Sequence, residues 1–439
     1  MLILGALIGA LFSAAPVQRF GPRAVLAFTN IFWIAGALLC IIVSVPALMV
    51  GRFIVGLGLG ISSATVPVLL SEIATNKNRG VVTSLCQLMI TIGIFVAGIM
   101  AYGLVEYVKQ GWRPLLAAPA GFGAISLLCT PLVVDSPVWL ARNNREADAK
   151  RAIAVLRGHP LSLLNNNVSS SGSTSSSLSP VSGNGLSGYP AAVEAEYAML
   201  SRNAREEAAL PPLSWTEVFT HKRAMAIGFG MMFFQPMVGI NAVIFYSSKI
   251  FEYAGMEQAI LGTVLVGVIN VLVTVISMGL VERAGRRILL LVGTAICVVA
   301  IAVIAFVLLL MPDQGDGPKD VKTGAVAVAG VLLYLVGYAV GIGSVTWVVI
   351  GEVLSPRVRS KAYSVFVAEA WACNLIIAMT TLSAIEGLGG GSSDDQQRKG
   401  VAWLFAIFGF ICIAAVVFIA KFVPGTSYFW VFLVSNQLW

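Results

Sequence analysis

Eleven apolar runs dominate this chain: 2–18, 25–49, 51–71, 81–106, 114–134, 224–251, 259–281, 287–311, 323–351, 362–385 and 401–423. A helix needs roughly 20 apolar residues to cross a bilayer. Lipid offers no partner to backbone N–H and C=O groups, so runs of this length are predicted to be helices that satisfy their own ladders. Composition agrees: 58% of the 439 residues are hydrophobic and 11% are charged, where a soluble domain carries about a quarter charged. The expected class is an all-α polytopic membrane protein set in a lipid bilayer.

The net charge is +7, yet the basic residues do not form the stripe that nucleic acid would require. They fall in short clusters between runs: Arg19 and Arg23, Lys77 and Arg79, several between 142 and 223, Arg283 to Arg287, and Arg357 to Lys361. The alternate connections are acidic, with Glu252 and Glu257, then Asp313, Asp316 and Asp320, then Asp394 and Asp395. The positive-inside rule puts the basic set and the C-terminus in the cytoplasm. With eleven spans the N-terminus then falls outside, so the expectation is either an unusual topology or one further helix ahead of Met1. No basic region precedes the first run, so it does not read as a signal peptide.

Four units are expected. Residues 1–141 form a bundle of five spans and 224–423 a bundle of six. Residues 142–223 form a cytoplasmic linker, with short helices near 143–157 and 191–208 around a flexible Ser-rich segment, 161–189. Residues 424–439 are an atypical tail. The sequon Asn167-Val168-Ser169 falls on the cytoplasmic side, where it is not glycosylated. The six cysteines all lie in apolar runs without metal-ligand spacing and are expected to be buried thiols. Both histidines, His159 and His221, sit in the linker. No metal, cofactor or catalytic residue is expected, because no nucleophile–base set appears in the spans.

Two signals recur in the same order. Arg19-Phe-Gly-Pro-Arg23 matches Arg283-Ala-Gly-Arg-Arg287, and Ser71-Glu72 through Arg79 matches Gly351-Glu352 through Arg359. Parallel repeats of this kind build many secondary transporters, with the substrate site between the halves near mid-membrane. Orientation alone explains basic residues at span ends. It does not explain an acid held at a fixed spacing before an arginine in both halves, which points to an ion-pair network between helix ends. Such a network would close the cytoplasmic side and break when the halves rock.

A polyhydroxyl ligand asks for groups that both donate and accept, and for aromatic faces against its C–H surface. Neutral amides and tryptophans do occur inside the spans: Gln87, Gln235, Asn241, Asn270, Trp347, Trp371 and Asn374. Trp371 and Asn374 share a helix face. Pro236 and Gly239 are expected to loosen the helix between Gln235 and Asn241, and broken helices at mid-depth point to transporter sites. Each amide alone is as readily a bridge between helices, and Tyr246 reads as packing as readily as a gate. Taken as a set, they favour a binding site.

These residues resemble the sugar porter branch of the major facilitator superfamily. The resemblance rests on Gly51-Arg-Phe-Ile-Val-Gly-Leu-Gly-Leu-Gly60 with Pro67 and Ser71-Glu-Ile-Ala74, on Asp135-Ser-Pro-Val-Trp-Leu140, on Gln235 to Tyr246, and on Val281-Glu-Arg-Ala-Gly-Arg-Arg287. It implies two pseudo-symmetric bundles, five spans plus six here where the family has six plus six. It also implies that Gln87, Gln235, Asn241, Asn270, Trp347 and Asn374 contact the sugar, with Trp371 close by. The cytoplasmic gate network would comprise Arg19, Arg23, Arg52, Glu72, Arg79, Glu282, Arg286, Arg287, Glu352 and Arg359. Four positions and one segment depart from the family pattern. Pro236 replaces a second glutamine and Gln18 an aspartate, Ser344 and Thr346 replace prolines, and Tyr428 to Val434 resembles nothing in the family. Without those prolines the tenth-helix gate is expected to be stiffer. The family's first helix, which bears the proton-accepting acid of coupled members, has no counterpart.

The function these features imply is transport of a sugar, expected to be a hexose, by alternating access in the plasma membrane. The carrier would be a monomer, working by facilitated diffusion or with a co-transported proton. A polyol or inositol carrier, or a transport-incompetent sensor, are the alternatives.

Overall fold

The computed structural model describes residues 1–75, 78–159, 189–211, 213–244, 259–310, 321–391 and 393–424. Lys77, Tyr246, the sequon, nearly all of the Ser-rich segment, the acidic residues Glu252, Glu257, Asp313, Asp316 and Asp320, and the tail from 425 lie outside the described residues.

Among the described residues, all regular structure is helical. Ten helices are long and apolar enough to span a membrane, or eleven if α1 (Leu2–Phe12) and α2 (Ala14–Phe20), bent by 49°, count as one. The bend has a local cause. Pro16 carries no N–H to continue the ladder, and Ser13 Oγ donates to the Ala10 carbonyl at 2.7 Å.

The other spans of the first half are α3 (Pro22–Ile41), α4 (Val45–Ile73), α5 (Arg79–Tyr107) and α6 (Trp112–Cys129). The α3–α4 break falls at 42–44, not near residue 50 as the runs suggest. Hydropathy is continuous there, and Pro46, at the start of α4, sets the new helix. Helices α1 and α4 cross on glycine: a Cβ at Gly56 would sit 2.1 Å from the Leu2 carbonyl oxygen. Small residues of this kind let membrane helices meet backbone to backbone.

Four short helices follow: α7 (Pro137–Arg142), α8 (Glu146–Leu156), α9 (Ala191–Ala208) and α10 (Trp215–Thr220). Ion pairs Arg142–Glu207 at 2.8 Å and Arg157–Glu196 at 2.5 Å tie the first three together. Lys150 bridges Glu146 and Glu194 at 2.6 and 2.8 Å.

The second half comprises α11 (Lys222–Met237), α12 (Ala259–Ala284), α13 (Arg286–Leu310), α14 (Val321–Tyr338), α15 (Ser344–Val353), α16 (Pro356–Gly389) and α17 (Asp394–Phe422). Helix α11 stops at Met237, Gly239 turns with φ of 93°, and helix resumes at Ile240. Between α14 and α15, the chain makes a wider turn over Ala339–Gly343, with Gly341 at φ −96°, ψ −110°. Glycine breaks the helix without proline, and Ser344 and Thr346 donate to the Ala339 and Ile342 carbonyls at 2.8 and 2.5 Å.

The halves meet where α1 and α4 pack on α16, and where α5 packs on α12 and α15. Five cysteines are buried, but Cys129 is exposed, against expectation. It ends α6, which lies on the outer surface with only 6% of its span buried.

Candidate functional site

Gln87, Trp347 and Trp371 make hydrogen bonds between the halves, and Gln235, Asn241 and Asn374 make theirs within the second half. Gln87, on α5, is buried, and its Oε1 accepts from Trp347 Nε1 of α15 at 3.2 Å. Trp371 Nε1, on α16, donates to Ser63 Oγ of α4 at 3.1 Å. Both contacts join one half to the other. Within the second half, Asn241, just past the α11 break, donates through Nδ2 to Asn374 Oδ1, and Asn374 Nδ2 donates to the Ala370 carbonyl at 2.9 Å. Gln235 lies in hydrogen-bond reach of the Tyr338 hydroxyl.

Asn270, in α12, differs from these. It is buried, and its Oδ1 has no hydrogen-bond partner. An orphaned buried acceptor costs about 1–3 kcal/mol, a cost that a ligand donor would remove. Seven sequence-selected residues thus fall into a few polar clusters linked by α11, α12, α15 and α16. The structure adds Ser63 and Tyr338, which no sequence pattern marked.

The second cluster lies at the end of the bundle bearing the basic residues, here called the basic face. Arg286 Nη2 pairs with Glu352 at 2.9 Å and with Glu282 at 3.4 Å. Glu72 Oε2 accepts from Ser136 Oγ at 2.5 Å. Buried Arg359 donates to the Leu354 carbonyl at 3.0 Å. The repeated acids and arginines interact across the halves: Glu72 lies in the field of Arg359, and Arg79 in that of Glu352. Gln18 Nε2 donates to Ser360 Oγ at 3.0 Å, a further bridge between the halves.

Arg23 anchors the loop after α6, donating to the Thr130 and Pro131 carbonyls at 3.2 and 3.1 Å and through its backbone N–H to Asp135 at 3.4 Å. Burial pushes the Asp135 carboxyl above its ordinary value, against the backbone N–H groups of Ser136 and Arg23. Arg287 caps the end of α17, donating to the Ala420 carbonyl at 2.6 Å.

Two expected members do not belong to this cluster. Arg52 lies near the start of α4 while Glu72 lies at its end, which separates them by roughly 30 Å at 1.5 Å per residue. Arg19 is on the basic face, but its guanidinium stacks over the neighbouring Phe20 ring at 5.3 Å.

Two helical half-bundles, with polar side chains joined across their contact and an ionic cluster at one end, define a membrane transporter of the major facilitator type. The chain belongs to the family described as "Sugar (and other) transporter", whose model matches residues 1–430. It is 28% identical to the Plastidic glucose transporter 4 of Arabidopsis thaliana, over 97% of this chain and 69% of that protein. It is 28% identical to the Glucose transporter GlcP of Staphylococcus epidermidis, over 97% of this chain and 84% of that protein. The Facilitated trehalose transporter Tret1 of Anopheles gambiae is 29% identical, over 97% of this chain but 48% of its own length. Among solved structures, the proton:xylose symporter XylE bound to 6-bromo-6-deoxy-D-glucose shares the fold. Its TM-score is 0.77 at 22% identity, covering 97% of this chain and 85% of that one. The inward open conformation of XylE from E. coli superposes with a TM-score of 0.65 at 21% identity, covering 97% and 84% of the two chains.

Proposed function

We propose that this chain carries a sugar, most simply a hexose, across a membrane by rocking its two halves about the amide layer. One observation carries the reading. Two indole N–H groups of the second half reach across the interface to Gln87 and Ser63 of the first. A sugar entering there exchanges these protein bonds for its own hydroxyls, so its arrival acts on the contact between the halves. Unpartnered Asn270 Oδ1 supplies a further acceptor. The glucose and trehalose carriers among its relatives support the same class of ligand.

By the charge rule the basic face is cytoplasmic. Its ionic bridges then hold the inside closed, and the carrier waits open to the outside. A plasma-membrane monomer is the simplest setting.

Uptake of labelled D-glucose by cells that lack their own hexose carriers tests the proposal, with unlabelled hexoses and polyols as competitors. Saturable uptake competed by hexoses is expected, and Asn241→Ala should reduce it. Saturable uptake competed only by polyols would move the substrate class. Absence of saturable uptake of any of them would overturn the proposal.

A further inference from the structure

Helix α16 carries one acid well inside its length. Glu369 lies roughly 20 Å along the axis from Pro356, where α16 begins. Its helix neighbours Phe366, Val367, Ala368 and Ala370 are buried and apolar. Its Oε2 is shut off from solvent and has no hydrogen-bond partner.

The position on the helix is specific. One turn towards the basic face, Phe366 packs edge-on to Phe229 at 5.1 Å. Its ring also closes over Gly228 of α11. Just over one turn the other way, Asn374 accepts from Asn241. Glu369 therefore stands between an aromatic layer and the amide layer, on the helix that supplies both.

Among the described residues, no cation pairs with it. Helices α1, α2, α4, α10, α11 and α17 pack against α16. Helix α1 has no ionisable side chain. Arg19 of α2, Glu72 of α4, Glu217 of α10, and Lys222 and Arg223 of α11 sit at the basic-face ends. Arg52 of α4 lies near the opposite end. On α17, Asp395, Arg398 and Lys399 are at one end and Lys421 at the other, with Cys412 between. On α16 itself, Arg357, Arg359 and Lys361 are in the first two turns, Glu386 is near the last, and Tyr363 and Cys373 are uncharged groups on either side. A bare carboxylate in such a layer costs several kcal/mol, and only a cation, water or a proton relieves it.

We propose that Glu369 is the group on which this carrier takes up and releases a proton, coupling sugar movement to a pH gradient. The proposal rests on the carrier reading above. A proton from the outer water joins the half-buried Glu369 carboxylate, and the neutral acid fits its apolar neighbours beneath the amides. Helix α16 packs on α1 and α4 of the other half, so rocking changes which side's water reaches the carboxyl. Opening on the basic side hydrates it, the proton leaves, and the carboxylate is restored. One proton and one sugar move together.

The test uses the full chain, purified and reconstituted in vesicles, with labelled D-glucose as the probe. Two readouts are taken: exchange of labelled for unlabelled glucose at equal pH, and net accumulation driven by an acid exterior. Wild type should do both, with accumulation approaching about tenfold per pH unit at one proton per sugar. Glu369→Gln should exchange glucose but accumulate none, and Glu369→Asp should regain accumulation. Wild-type exchange without gradient-driven accumulation would overturn this inference and leave the carrier reading standing. So would accumulation by Glu369→Gln at the wild-type level. Failure of wild type to exchange any glucose would overturn glucose as the carried sugar and this coupling with it. Should Glu369→Gln not fold, Glu369→Asp decides through its accumulation profile, since a shorter carboxyl must shift the external pH of half-maximal accumulation. An unshifted profile would overturn the inference.

Discussion

The two halves share a plan but not a way of packing. In the second half, 56% of the central part of Gly324–Val353 is buried, and in the first half only 6% of Trp112–Leu132 is. Within the first half, glycine shows how unevenly the packing is spread. A Cβ at Gly56 or Gly60 would strike the α1 backbone, whereas one at Gly93, Gly98 or Gly103 of α5 would meet nothing within 4 Å. The first half concentrates its packing in the α1–α4 crossing and offers few polar groups to the interface, chiefly Gln87 and Ser63. The second half holds most of the amides, beside helix breaks at Gly239 and Gly341. The difference puts most of the polar groups in the second half and leaves the first to meet them through Gln87 and Ser63.

Substitutions break or sharpen that contrast, and the largest effect should come from the glycine crossing. Gly56→Leu should leave little folded protein, since overpacking typically costs about 1–3 kcal/mol and here the clash is with backbone. Gly98→Leu should unfold at the wild-type temperature. Thermal unfolding in detergent distinguishes them, and equal melting temperatures would contradict a first half held together chiefly at the α1–α4 crossing.

Next in size is the interface itself. Trp347→Phe removes the indole N–H that Gln87 accepts, at 3.2 Å, and keeps an aromatic ring. Glucose affinity should fall about tenfold, equivalent to about 1.4 kcal/mol. Isothermal binding checks this, and unchanged affinity would reduce Gln87–Trp347 to helix packing.

A smaller effect on affinity, with a larger one on rate, is expected at the basic face. Glu352→Gln removes the charge paired with Arg286 at 2.9 Å. Transport should slow severalfold while glucose affinity stays within about twofold, because the pair acts on closure and not on the ligand. Vesicle uptake beside equilibrium binding separates the two. Smallest of all is Arg52→Gln, which should leave uptake unchanged, since Arg52 lies at the other end of α4 from the ionic cluster.

Much of this was legible in the sequence because lipid permits few alternatives. A run as apolar as 287–311 in this chain has no stable form but a helix, and α13 occupies Arg286–Leu310. The amides stood out for the same reason, as costly residues in apolar runs. Pro236 and Gly239 marked a break that the backbone makes at Gly239. What the sequence hid depends on three-dimensional neighbours. Hydropathy runs unbroken across 42–44, so only Pro46 hinted at the end of α3. Ser63 looks like any small residue in a glycine-rich helix until Trp371 is seen to reach it. The motif around Arg52 drew it into the ionic cluster, although residue counting along α4 was enough to exclude it.

Movement of the two halves apart at the basic face is the central requirement, and the Gln18–Ser360 bridge gives the most direct test of it. Gln18→Cys and Ser360→Cys, on opposite halves and exposed, can be joined by a short, reducible bis-methanethiosulfonate linker in purified protein. Glucose exchange in vesicles and equilibrium glucose binding are then measured before and after reduction. The linked protein should bind glucose but not exchange it, and reductant should restore exchange. Exchange at the unlinked rate with the linker in place would contradict a carrier that works by parting its halves there.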